Sequence, residues 1–228
     1  MRYAPILKAI ADEHYDQLVV WGLSAGVHDT KTGYHRFVIN DESDIPILAD
    51  KITGSVRRFI AVDADYEDCW REIFPDAVYT RYRLAVGYAD VLRSFPDTPV
   101  PDDIQIVRMD ESWDDLVTGL FADDEFPADS LKRQLRENLS LGLMWQGKRA
   151  GFHSMHLNGE MGPLWIAPEA RGRTYGSLLI REYMRMFLKE NSISFALVDK
   201  ENEPALKIIN NLGIRLLDKD VLHVTLKR

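Results

Sequence analysis

The sequence has a single cysteine, Cys69, in 228 residues. One thiol cannot close an internal disulfide, so the fold must hold by packing, and a reducing cytoplasm is the expected setting. No apolar run reaches the length needed to cross a bilayer, so no membrane partner is expected. The first stretch carries Lys8, Asp12 and Glu13 and lacks the uninterrupted apolar segment and small-residue cleavage site of a secretory leader. Basic charge is also in deficit: 28 Lys and Arg stand against 36 Asp and Glu, a formal net charge of −8. That excludes the broad basic face of a nucleic-acid binder. It leaves open the binding of one phosphate cluster, which needs only a few aimed amides. His14, His28 and His35 are scattered without metal-ligand spacing, and no metal is expected. Cys69 has no histidine at a useful offset and reads as an inert, buried thiol.

What is present is apolar material. Hydrophobic residues make up 46% of the chain, enough for a substantial core in one large domain or two small ones. Pro96, Pro99 and Pro101 cluster between Ser94 and Asp102. Proline fixes φ and removes a donor, so 96–102 reads as an extended connector between a domain at 1–95 and another at 103–228.

The first domain reads as mixed α/β. Tyr3 to Trp21 is expected to be helical. Tyr34 to Ile39, Val56 to Val62 and Ala77 to Val86 read as strands. Tyr66 to Phe74 reads as a helix with Asp65 as its cap. No catalytic motif is visible here.

In the second domain Ile104 to Met109 alternates as a strand. Ser112 is expected to cap a helix running to Phe121, and Asp129 or Ser130 to open another running to Leu139. Leu141 to Gln146, Arg149 to Leu157 and Glu160 to Ile166 read as strands. Asn158-Gly159 joins the last two, because a type I′ turn needs positive φ at both positions. A helix is expected from Thr174 to Glu190, with Tyr175, Leu179, Tyr183, Met186 and Phe187 at helical spacing. Ile193 to Val198 reads as a strand. Asn202 to Leu212 reads as a helix closed by Gly213. Ile214 to Leu217 and Val221 to Leu226 complete the chain as strands. The fold class is α/β with a mixed sheet.

This order, with the segment Trp165-Ile166-Ala167-Pro168-Glu169-Ala170-Arg171-Gly172-Arg173-Thr174-Tyr175-Gly176-Ser177, resembles the GNAT superfamily of acyl-CoA N-acyltransferases. The segment resembles that family's apolar strand, proline, and Arg/Gln-x-x-Gly-x-Gly/Ala loop opening a helix. Asn202-x-x-Ala205 and Asn211-Leu212-Gly213-Ile214 resemble its second motif. Gly159-Glu160-Met161-Gly162 and the two-part layout look like the glycine N-acyltransferase branch. The resemblance implies a GNAT-like domain preceded by a smaller mixed α/β domain, with acetyl-CoA as co-substrate and a small amine or amino acid as acceptor.

It implies, residue by residue, a pyrophosphate cradle from Arg171, Gly172, Arg173, Thr174, Tyr175, Gly176 and Ser177. Leu164, Trp165 and Ile166 would meet the pantetheine arm, and Asn202 would complete the cofactor set. Helix-terminal amides and small residues suit such a cradle, because backbone and phosphate must approach closely. Thr174 replaces the family's middle glycine. A β-branched residue there is costly if φ must be positive and tolerated if it begins the helix; the second case is the expectation.

Acyl transfer to an ammonium needs a base. Glu160 stands where several family members place a glutamate. Simple strand alternation puts it on one face with Gly162, Leu164 and Ile166. His156 and His153 are rival bases, and an exposed, non-catalytic Glu160 remains an alternative. Position 209, where many members carry a tyrosine acid, is Ile209; either solvent or another residue such as Tyr183 or Tyr175 would protonate the leaving thiolate, though both tyrosines are expected to face the core. Asp123 to Pro127 would border the acceptor, or be a solvated acidic loop. Three functions stay open: direct acetyl transfer to a primary amine, a catalytically degenerate module that binds or senses acyl-CoA, or a two-domain protein whose N-terminal half recognises a protein partner that the C-terminal half acylates.

Overall fold

The computed structural model describes residues 3–11, 13, 15–30, 33–52, 58–88, 99–122, 128–156, 160–189, 191 and 193–227. The expected Asn158-Gly159 turn, the loop Asp123 to Pro127, His14 and most of the proline-rich connector lie outside them. The fold is mixed α/β and divides into two compact units that do not follow chain order. One comprises Met1–Gly87, Ile193–Asn210 and Ile214–Arg228; the other Tyr88–Ser192 with Asn211–Gly213. The chain therefore leaves the first unit near the expected connector but re-enters it at Ile193. Segments read from sequence as part of the second domain belong to the first unit's sheet.

In the first unit, α1 (Ala4–Ala11) is followed by strands β1 (Tyr15–Trp21), β2 (Ser24–Asp29) and β3 (Tyr34–Val38). The helix expected from Tyr3 to Trp21 thus ends after two turns. Val19 and Val20 are stiff at χ1 and favour strand, and Gly22, at φ 55°, closes the tight return into β2. β2 went unread because its sequence, SAGVHD, has little strand propensity; burial along nearly its whole length holds it instead.

Then come α2 (Ile45–Ala49), β4 (Arg58–Val62), α3 (Glu67–Ile73) and β5 (Val78–Tyr88). The turn before α3 is capped by Asp63, whose carboxylate accepts from the Asp65 amide, so Asp65 is not the cap. β10 (Ile193–Val198), helix α7 (Glu203–Asn211) and β11 (Arg215–Thr225) complete the unit. The two terminal strands expected from sequence are one strand, with a register shift between Leu216 and Asp220. The sheet order is β1-β2-β3-β4-β11-β5-β10. Its core gathers Phe37, Phe59, Leu222 and Val224 with Ile45 and Leu48 from α2 and Trp70 from α3.

The second unit is an antiparallel sheet ordered β6-β7-β8-β9: Ile104–Arg108, Leu141–Trp145, Lys148–Met155 and Met161–Ile166. Helices α4 (Asp114–Phe121) and α5 (Ala128–Glu137) cover one face, and α6 (Tyr175–Phe187) packs on the other. A 3-10 turn, Glu111–Trp113, precedes α4, and its cap is Asp110 accepting from the Ser112 amide, not Ser112 itself. Under α4 and α5 lie Trp113, Val117, Leu131, Leu135 and the fully buried Phe152. Gly142 is what lets Trp113 lie on the sheet: a Cβ there would sit 2.3 Å from the indole ring.

Candidate functional site

The site is built where β9 runs out into a turn and α6 begins. Pro168–Ala170 forms a 3-10 turn, and Arg171, Gly172, Arg173 and Thr174 follow it, all exposed. Gly172 takes φ 75°, and a Cβ there would meet nothing within 4 Å. Its glycine is thus a backbone requirement, not a spatial one. Thr174 takes φ 61°, ψ 10° at the N-cap of α6. The expectation that Thr174 simply begins the helix is therefore overturned: the left-handed case, costly for a β-branched residue, holds.

Thr174 also fails to act as a threonine usually does at a helix start. Its hydroxyl donates to the Arg173 carbonyl, 2.6 Å away, and makes no capping bond. The first helical bond runs from the Leu178 amide to the Thr174 carbonyl. The amides of Tyr175, Gly176 and Ser177 are left without an acceptor among the described residues, at the positive end of a thirteen-residue helix. Tyr175 turns its ring into the core, while Gly176 and Ser177 are half-buried.

Holding a β-branched residue left-handed costs about 1–2 kcal/mol. Thr174→Gly is expected to recover about 1 kcal/mol and raise Tm by roughly 2–4 °C. Thermal unfolding of the two proteins checks this; an unchanged or lower Tm would show that the threonine is not strained.

The two arginines of the turn are held differently. Arg171 spends its Nε–H on the Ile166 carbonyl at 3.0 Å. Arg173 lies over the Trp145 ring, 4.7 Å from its centroid, and the indole Nε1–H of Trp145 donates to Asp103 at 2.8 Å. Neither Trp145 nor Asp103 was legible as part of this site. They reach it through the β6–β7 pairing, in which Ile104 faces Trp145, and no local motif signals that.

Leu164, Trp165 and Ile166 lie half-buried on β9, the edge strand of its sheet. Trp165 stacks on Phe152, on the α4/α5 side. Leu164 pairs with His153 and Ile166 with Gly151, but Met161 pairs with Met155, so β9 carries one extra residue between Met161 and Leu164. The shift spans the cis Gly162-Pro163 peptide, where Gly162 takes φ 139°. One inserted residue exchanges the two faces. Glu160 is therefore out of phase with Leu164 and Ile166, and the common face expected from simple alternation does not exist. Glu160 is instead in phase with Trp165, half-buried, its carbonyl accepting from the His156 amide at 2.8 Å.

His153 of β8 and His156, the residue just past its end, point to opposite sides. His153 meets the Tyr183 ring of α6 at 4.5 Å and the Pro163 carbonyl at 3.2 Å. His156 reaches Gln134 of α5, Nδ1 to Oε1, at 3.3 Å. Burial pushes both imidazoles down to about 4, so both are neutral at pH 7. Tyr183 is fully buried, and burial pushes its hydroxyl well above its ordinary range. It is no ready acid.

Asn202 sits in the first compact unit and caps α7, its Oδ1 accepting from the Ala205 amide at 3.1 Å. The Asn-x-x-Ala pattern is thus at least a helix cap. Ile209, on the same helix, is buried. Cys69 is half-buried rather than buried; enclosure and Glu42 raise its thiol, so the inert reading of its chemistry stands. Among the described residues no group of three or more His, Cys, Asp or Glu could hold a metal ion, and no helix is long and apolar enough to cross a membrane.

Residues 142–222 match the model of the family described as FR47-like protein. No curated protein matches the chain. Solved structures do. A Drosophila protein superposes with a TM-score of 0.72 at 14% identity, over 90% of this chain and 74% of its own. A GCN5-related N-acetyltransferase from Kribbella flavida gives 0.61 at 12% identity, over 99% and 96%. A putative acetyltransferase of the GNAT family from Novosphingobium aromaticivorans gives 0.56 at 15% identity, over the whole of both chains. These likenesses are of fold, and they do not single out the glycine N-acyltransferase branch.

Proposed function

We propose, from the GNAT fold that this chain shares with these acetyltransferases, that it transfers an acetyl or other short acyl group from acyl-CoA directly to a primary amine. The observation that carries this reading is the uncapped start of α6. Three amides without acceptors, an exposed glycine-bearing turn and Arg171 suit a pyrophosphate, and Arg173 adds a second cation beside them. Arg171, Gly172, Thr174, Tyr175, Gly176 and Ser177 would hold the pyrophosphate, Arg173 would meet a further phosphate of the same cofactor, and the edge of β9 at Leu164, Trp165 and Ile166 would meet the pantetheine arm. Bound acyl-CoA supplies a thioester carbonyl open to attack by nitrogen. The protein's part is to orient it and to take a proton from the amine. Glu160 is the candidate for that proton, with His156 as rival. The acceptor is a small amine or amino acid, and no metal takes part.

Purified protein incubated with acetyl-CoA and a panel of amines should release free thiol. Binding without release would favour the second reading, an acyl-CoA sensor. The buried Ile209, standing where many relatives carry a tyrosine, favours that second reading.

Gly176→Val tests the cradle itself. A branched side chain one residue into α6 stands where backbone and phosphate must meet. CoA affinity by calorimetry is expected to fall at least tenfold in a variant that unfolds like the parent; unchanged affinity would defeat the reading. Thr174→Gly keeps the Tyr175, Gly176 and Ser177 amides and should bind CoA at least as well as the parent.

A further inference from the structure

Stacking Arg173 on Trp145 has a chemical consequence. A guanidinium laid on an aromatic ring uses its π face and leaves its coplanar N–H donors free. The indole beneath it is itself pinned, because its only N–H goes to Asp103. Arg173 is exposed and has no carboxylate partner among the described residues. A pre-positioned donor edge without an anion is a receptor for a doubly accepting oxyanion. The neighbouring helix amides already suit a bridging pyrophosphate, whose charge is shared between two phosphorus centres. What remains for Arg173 is a terminal phosphate, with more charge and more free oxygens.

We infer that Asp103, Trp145 and Arg173 form a phosphomonoester subsite that makes the protein select the 3′-phosphorylated carrier, CoA, over 3′-dephospho-CoA. The inference rests on the proposed acyl-CoA function but adds a specificity that function does not require. Arg173 contacts the ligand; Trp145 and Asp103 act through it, as positioning residues.

Calorimetry with CoA and with 3′-dephospho-CoA tests it. The parent protein is expected to prefer CoA about tenfold or more, the size of one charge-assisted bidentate contact. Trp145→Ala should weaken CoA about tenfold, leave 3′-dephospho-CoA within about twofold, and so erase the preference. Trp145→Phe keeps a ring under Arg173 and should retain part of the preference, which also guards against a folding defect in the alanine variant. Arg173→Lys keeps the charge but not the plate, and should likewise lose most of the selectivity. Equal affinity of the parent for both ligands would overturn the subsite and leave the acyl-CoA reading standing. So would an equal loss for both ligands in Trp145→Ala. Failure of the parent to bind either ligand would remove the acyl-CoA reading and the subsite with it.

Discussion

Glu160→Gln is expected to lower kcat by roughly 10²–10⁴ while leaving CoA affinity nearly unchanged, the range that a positioned general base supplies. Glutamine keeps the shape and hydrogen-bonding reach of the side chain and removes its basicity. The register shift in β9 moves Glu160 off the face of Leu164 and Ile166 and into phase with Trp165, which stacks on Phe152. Burial holds the His156 imidazole near 4, so it is no stronger a base than an ordinary glutamate and loses the advantage a histidine usually has near neutral pH. The pH–rate profile separates them. With Glu160 as base, the deficit of Glu160→Gln should shrink as pH rises, since more of the amine is then already deprotonated. With His156 as base, Glu160→Gln should track the parent and His156→Gln should carry the loss, with an acid limb near pH 4. A loss independent of pH would make Glu160 a residue that orients the acceptor.

The second large effect is on stability. Phe152→Ala should cost about 3–5 kcal/mol, the range for a fully buried aromatic that leaves a cavity. Phe152 is wholly enclosed between Trp113, Val117, Leu131 and Leu135, meets Phe121 edge-on and stacks on Trp165 of β9. Neighbours from two helices and two strands cannot all collapse into the space. Urea unfolding followed at the tryptophan signal measures the loss; a change below about 1 kcal/mol would show that the layer repacks. Phe152→Leu retains most of the volume and should cost much less.

Much of this was readable in advance, for identifiable reasons. α6 was legible because its apolar residues repeat at 3.6 and a glycine-bearing turn precedes it. β6 was legible from its alternation, β7 from its apolar run, and β8 from the Asn158-Gly159 pair that follows it. β2 was not, because a strand made of Ser, Ala, Gly, Val, His and Asp is held by its neighbours rather than by its own preference. The helix read through β1 failed because Leu18, Val19, Val20 and Trp21 are apolar at both periods, and only the return at Gly22 decides between them. At the site, the cradle residues could be named from their motif, but the conformation of Thr174 could not, since threonine is acceptable at a helix start and unusual in the left-handed region. The phase of Glu160 was lost to one inserted residue. Alternation counts positions, and a bulge at Gly162 changes the count without changing the composition. Trp145 and Asp103 were invisible because only strand pairing brings them to Arg173.

The route of the chain through its two sheets also sets an order in time. The second unit is one continuous stretch except for three residues, so all of its strands exist once Ile166 has been synthesised. The first sheet cannot be finished then. β11 lies between β4 and β5, and it begins at Arg215, 127 residues after β5 ends at Tyr88, so closing that pairing is a long-range event. A nascent chain stopped near residue 192 would carry a complete four-stranded sheet and a split larger one, with β4 and β5 each presenting a bare hydrogen-bonding edge. During that interval the larger sheet is the part of the protein most exposed to wrong pairing, and the part a chaperone would have most reason to hold.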